Sequence, residues 1–136
     1  MYEIFEHTAD LGLRIRSPSL GQLYEEAATA LFSVIVENPG EVRPERQSSF
    51  QLEADRRDEL LRDWLGELLY EFHANHLLFS RFKVSIQGNR LTATATGEPI
   101  DHQRHKIDAE VKAITYHGLK LVQQDNGWLA EVIVDV

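Results

Sequence analysis

Cysteine is absent from this chain of 136 residues. Its absence excludes disulfide frameworks, thiolate zinc centres and cysteine nucleophiles, and is compatible with a reducing compartment. No apolar run approaches the roughly 18 residues that a membrane helix needs, and the first residues form neither a basic n-region nor an apolar h-region. These features point to a soluble, non-exported, cytoplasmic protein. Positive charge is also in short supply, since 14 Lys+Arg stand against 22 Asp+Glu and leave a net charge of -8. A surface of that sign repels a phosphate backbone, so stable RNA or DNA binding by this chain alone is not expected. It suits hard cations, and it suits docking onto a basic protein partner. Missing too are the G-x-S-x-G elbow, Walker-type and dinucleotide glycine loops and H-E-x-x-H. Their absence argues against a self-contained enzyme.

What is present reads as a folded globular chain. Hydrophobic residues make up 43% and charged residues 26%, and the length fits one domain over residues 1–136 with a single core. Tyr2 to Glu6 and Leu11 to Arg16 alternate apolar and polar residues and predict two strands. Between them lies His7-Thr8-Ala9-Asp10-Leu11-Gly12, which sets a histidine and an aspartate where a hairpin needs only a turn. Ser19 and Gln22 have the form of a capping box. Behind it, Leu20, Leu23, Ala27, Leu31 and Ile35 keep helical spacing until Asn38-Pro39-Gly40 stops them. A strand is expected over Ser48 to Ala54. A second helix follows, with Asp55 as N-cap, Asp58 and Glu59 in its first turn, and Leu61, Trp64, Leu65, Leu68 and Phe72 along its stripe. Leu60 and Leu69 widen that stripe, so this helix is expected to be the more buried of the two.

Phe82 to Ile86 and Leu91 to Ala95 alternate strictly and are joined through Gly88-Asn89, which predicts a tight hairpin. Glu98 to Asp108 reads as a polar loop. Ile114 to Val122 and Trp128 to Val134 predict a last hairpin across Asp125-Asn126-Gly127. Its final strand carries apolar residues on both faces and is therefore expected to be central. The element order favours a single α+β domain, a mostly antiparallel sheet with two helices packed on it.

Three groups of residues carry candidate chemistry. Asp10 and Asp135 are hard oxygen ligands, with the α-carboxylate of Val136 beside the second; solvated turn carboxylates are the plain alternative. His73 with His76, and His102 with His105, have spacings that suit zinc but lie in polar surroundings, and surface histidines are expected at both. His7 and His117 each flank a strand, where a hydrogen-bonded structural histidine is the common outcome. The run Glu110-Val111-Lys112-Ala113-Ile114-Thr115-Tyr116-His117-Gly118 holds more polar function than strand packing demands. An edge strand protected by Lys112 is its plain reading.

The His7 to Gly12 opening, the Leu60-Leu61 to Tyr70 helix, Gly97-Glu98, the Glu110 to His117 segment and the strand ending in Asp135-Val136 together resemble the archease family. The resemblance runs from one end of the chain to the other and is weakest over Asn38 to Glu53. It implies a strand-helix-strand-strand module with an inserted segment. It also implies a protein cofactor for the GTP-dependent tRNA-splicing RNA ligase, which joins a 3′-phosphate or 2′,3′-cyclic phosphate end to a 5′-hydroxyl end. Such a cofactor promotes guanylylation of the ligase's histidine and so permits multiple turnover. By position, the resemblance implies calcium or another divalent cation held by Asp10, Asp135 and the main chain of Val136, and a partner-facing role for Lys112. His7 and His117 stand beside these as supporting residues. Two other readings compete: a metal-dependent phosphoesterase with Asp10 and Asp135 as ligands and His7 or His117 as general base, and a small-molecule-binding module, which needs a deep apolar pocket.

Overall fold

The computed structural model describes residues 1–136. In chain order the elements are β1 (Tyr2–His7), β2 (Asp10–Ser17), α1 (Leu20–Ile35), β3 (Arg46–Glu53), α2 (Arg57–Asn75), β4 (Leu77–Gln87), β5 (Arg90–Pro99), β6 (Ala113–Ile114), β7 (Lys120–Gln124) and β8 (Gly127–Asp135). The strands make two antiparallel sheets, β1-β2-β8-β6 with β7 also on β8, and β3-β5-β4. The α+β expectation therefore holds, with the strands divided between two sheets. No helix is long and apolar enough to cross a membrane.

α1 begins as the sequence predicts, with the Ser19 hydroxyl accepting the Gln22 N–H at 3.3 Å. That bond satisfies one of the donors a helix start leaves free. The burial ranking of the helices is the reverse of the expectation: nine of 16 residues in α1 are buried, against seven of 19 in α2. The cause is side-chain size. Ala27, Ala28 and Ala30 are fully buried, and small residues let a helix approach neighbours closely, whereas the leucines of α2 fill a single stripe. Phe32 meets Phe79 edge-on at 5.8 Å and stacks near Phe82 at 5.9 Å, tying α1 to the three-stranded sheet. Trp64 of α2 donates its indole N–H to the Tyr24 carbonyl at 3.0 Å. It thus buries its ring without leaving a polar atom unpaired.

At the start of α2 the N-cap is Arg56, with no side-chain cap bond, and not Asp55. Asp58 instead accepts the Glu59 N–H at 2.8 Å. The strand expected from Ser48 begins at Arg46, and the hairpin through Gly88-Asn89 is longer at both ends than its alternating core, with Gly88 at φ 61° in the turn.

Glu98 to Asp108 is not a free polar loop. Glu98 and Pro99 still belong to β5, and the segment beyond is stitched to the end of α1. Glu37 N–H reaches the Lys106 carbonyl at 2.8 Å, Asp108 N–H reaches the Ile35 carbonyl at 2.9 Å, and Asn38 bridges Arg104 and Lys106. Within it His105 is buried, contrary to the surface reading. Asp101 N–H donates to His105 Nδ1 at 2.9 Å, so the ring proton sits on Nε2, which donates to Glu98 at 3.2 Å. Glu98 also accepts the Arg43 N–H at 2.6 Å and is ion-paired to Arg104. Burial opposes its charge, but Arg104, the Arg43 amide and His105 outweigh that and hold the carboxyl down at about 2.

Candidate functional site

The five-stranded sheet brings the two ends of the chain together. Its β2–β8 register pairs Leu11 with Val134, so one step outward sets Asp10 against Asp135. On its other side Asp10 pairs with His7, and Asp135 pairs with Ala113 of β6. His7, Asp10, Asp135 and Ala113 therefore form one row, and residues in one row project from the same face. That is the outer face, because the alternate residues Leu13, Ile15, Val132 and Val134 are buried in the core.

Val136 and Lys112 lie one step beyond this row, at the same end of the sheet. Val136 follows Asp135 directly. Lys112 donates its backbone N–H to the Asp135 carbonyl at 2.7 Å and exposes its side chain. The chain's strong ion pairs lie elsewhere, at Arg14–Glu131 and Arg104–Glu98 among others, and neither Asp10 nor Asp135 has a cationic side chain within salt-bridge distance. No three His, Asp or Glu side chains converge into a ready-made metal cluster; the Val136 carboxylate and main-chain oxygens fall outside that set.

The turn joining β1 to β2 is strained. Thr8 has φ 29° and its carbonyl accepts the Asp10 N–H at 2.6 Å. A β-branched residue at positive φ costs roughly 1–3 kcal/mol, and such strain concentrates at functional sites.

The segment after β6 departs from the sequence expectation in a way that matters here. Ile114 to Val122 is not one strand: β6 stops after two residues, Thr115 to Leu119 swings out, and β7 rejoins β8 in a shifted register. Three contacts shape the excursion. The Thr115 hydroxyl donates to the Ile133 carbonyl at 3.0 Å and accepts the His117 N–H at 3.2 Å. The Leu119 N–H closes onto the Tyr116 carbonyl at 3.2 Å, with Gly118 at φ 63°. On the far side, Arg62 of α2 lies over the Tyr116 ring at 4.3 Å. The consequence is that His117 stands 5.3 Å, ring to ring, from His7. β1 and β6 are separated by two strands, roughly 14 Å at ordinary spacing, so the turn must reach across the outer face to make this contact.

Between α2 and β6 lies a groove of about 580 Å³ lined by Arg62, Glu67, Tyr70, His73, Lys112 and others. His73 donates its ring N–H to the Val111 carbonyl at 2.8 Å, which fixes the segment leading to Lys112. The largest cavity, about 700 Å³, lies instead on the polar face of the three-stranded sheet. Both are open surface grooves and lend the small-molecule alternative no deep apolar pocket. Sequence reading missed Thr115, Arg62 and Tyr116 as the residues that aim His117. The only available signal was Gly118 behind a threonine, inside a run otherwise readable as a strand.

Two helices on antiparallel sheets, with a polar tip where β1, β2, β6 and β8 meet, define a small α+β protein. Residues 2–136 match the Archease protein family (MTH1598/TM1083), and the chain belongs to that family. It is 38% identical to protein archease of Methanopyrus kandleri, with 99% of each chain covered, and 38% identical to that of Pyrococcus abyssi, with 99% of this chain and 98% of the relative covered. Protein 1598 of Methanobacterium thermoautotrophicum, solved in solution, superposes with a TM-score of 0.87 at 35% identity over 99% of this chain and 98% of that one. A Thermotoga maritima crystal structure, described as an archease and possible chaperone, shares the fold with a TM-score of 0.66 at 23% identity over 100% of this chain and 98% of that one.

Proposed function

We propose that this chain is the protein cofactor of a GTP-dependent RNA ligase, promoting guanylylation of the ligase and so multiple turnover when 3′-phosphate or 2′,3′-cyclic phosphate ends are joined to 5′-hydroxyl ends. Family membership over the whole chain supports the class of function. The observation that carries the reading is the convergence of Asp10, Asp135, Val136 and Lys112, from opposite ends of the sequence, on one end of a sheet. A tip of that kind is a docking element, with Lys112 free to meet a partner or its nucleotide.

The cation belongs to the same proposal. Two carboxylates set opposite one another with no cation of the chain between them repel. An all-oxygen donor set of Asp10, Asp135 and the main chain of Val136 fits a hard cation of the calcium type. When bound, such an ion supplies positive charge that offsets the two carboxylates and orders the tip.

The test is ligase guanylylation, followed with labelled GTP, in the presence of wild-type, Asp10→Asn, Asp135→Asn or Lys112→Ala protein. Each variant is expected to lower stimulation at least tenfold while keeping its fold by circular dichroism. Full stimulation by correctly folded Asp10→Asn and Asp135→Asn proteins would sink the reading. A thermal scan adds an independent check: Ca²⁺ should raise the Tm of the wild-type protein and leave that of either Asn variant unchanged.

A further inference from the structure

Helix α2 presents one stripe that the rest of the chain leaves open. Arg62, Gly66 and Tyr70 follow one another at four-residue intervals and so share a face, which runs along the groove between α2 and β6, with Lys112 and Ala113 also lining it. Three features set this stripe apart from an ordinary solvated helix face.

Gly66 stands in the middle of a 19-residue helix, where glycine is the poorest former after proline. A Cβ there would meet no atom of a neighbouring element within 4 Å. The fold itself therefore has no use for the missing side chain, in contrast to Gly97 and Gly127, where a Cβ would run into the backbone of Leu78 and Ser17. Arg62 is the second feature. Its Nε–H is shielded from solvent and has no acceptor, while the rest of the guanidinium reaches Asp63 at 3.3 Å and lies over the Tyr116 ring at 4.3 Å. Folded proteins rarely leave such a donor unmatched. Third, Tyr70 and Tyr116 are each 61% exposed, and tyrosine and arginine are among the residues that dominate binding energy at protein interfaces.

We infer that this groove is a docking site for a segment of the ligase, a partner whose identity rests on the function proposed above. The segment sets an acidic side chain against the free Arg62 Nε–H and an apolar side chain over Gly66, alongside the Tyr70 ring. A carboxylate is the acceptor that the edge of a guanidinium matches best, and Lys112, the second cation of the groove, keeps its side chain exposed. Groove and tip are one continuous surface, because Ala113 lines the groove and is the cross-strand partner of Asp135.

Affinity for the ligase, read by calorimetric titration of the two pure proteins, tests the site. Gly66→Leu, which fills the open space, and Tyr70→Ala should each weaken binding at least tenfold, with Lys83→Ala, on the three-stranded sheet, behaving as wild type. Gly66→Ala should raise the Tm of the free chain by about 3 °C, the opposite of what loss of a glycine needed for folding would do. In the wild-type protein, where no substitution intervenes, the ligase should shift the Arg62 Nε–H resonance and slow its exchange with solvent. The docking site is overturned if folded Gly66→Leu and Tyr70→Ala proteins keep wild-type affinity, if Gly66→Ala lowers the Tm, or if the Arg62 resonance does not respond to the ligase. Any of these results alongside tight wild-type binding leaves the proposed function standing; a wild-type chain that does not bind the ligase at all overturns that function and the docking site with it.

Discussion

Glu98 shows how one side chain organises a segment. It is a buried carboxylate with Arg104, His105 and the Arg43 amide around it. Removing its charge leaves Arg104 without its buried partner, so Glu98→Gln is expected to destabilise the protein by about 3 kcal/mol, measured by urea unfolding. Its carboxyl titrates at about 2 in the folded chain against an ordinary 4.5. The stability it contributes is therefore full above pH 4.5 and is lost as pH falls through 2. Unfolding followed across that range should show a steeper slope in wild type than in Glu98→Gln. Thr8 works in the opposite sense. With its φ of 29°, replacement by Asn, which tolerates left-handed backbone, should raise stability by about 1 kcal/mol. An unchanged urea midpoint for Thr8→Asn would mean that the turn carries no strain.

Among the elements, α1 was legible from the sequence in its start and its stripe, because the Ser19 cap and helical spacing are local properties. Its position was not legible. Of its three fully buried alanines only Ala27 lay on the predicted stripe, and together they are the means of fitting a helix among two sheets. Enlarging one tests this: Ala28→Leu should destabilise by about 2 kcal/mol through overpacking, where the same change at an exposed helix position stays within about 0.5 kcal/mol. The hairpin at Gly88-Asn89 was equally legible, since turn chemistry is written in adjacent residues. The Thr115 to Leu119 excursion was hidden for the opposite reason. Its alternation continues on both sides, and the change of register with β8 depends on hydrogen bonds to Ile133, which no local pattern encodes. His105 escaped for the same cause, because its burial depends on Glu98 and Arg104. The candidate site was readable as residue types, and the pairing of Asp10 with Asp135 could be argued from two strand ends; the meeting of His7 with His117 could not.

For the whole molecule, the net charge of -8 sets how a partner is met. If the proposed ligase presents a basic surface to the tip, the association rate should fall steeply as ionic strength rises, while dissociation changes little. Stopped-flow measurements between low and physiological salt would show this, and a salt-independent association rate would rule out electrostatic steering.

The pairing of β2 with β8 also constrains when the molecule can be completed. The stretch from β3 to β5 is contiguous, and its three-stranded sheet closes within residues 46–99. The β1–β2 hairpin, although made first, lacks the neighbour that covers its inner edge until the last strand exists, and Leu13 and Ile15 stay without Val132 and Ala130 beside them. On a ribosome, the tip that gathers Asp10 and Asp135 can therefore assemble only once β8 has cleared the exit tunnel, later than the three-stranded sheet.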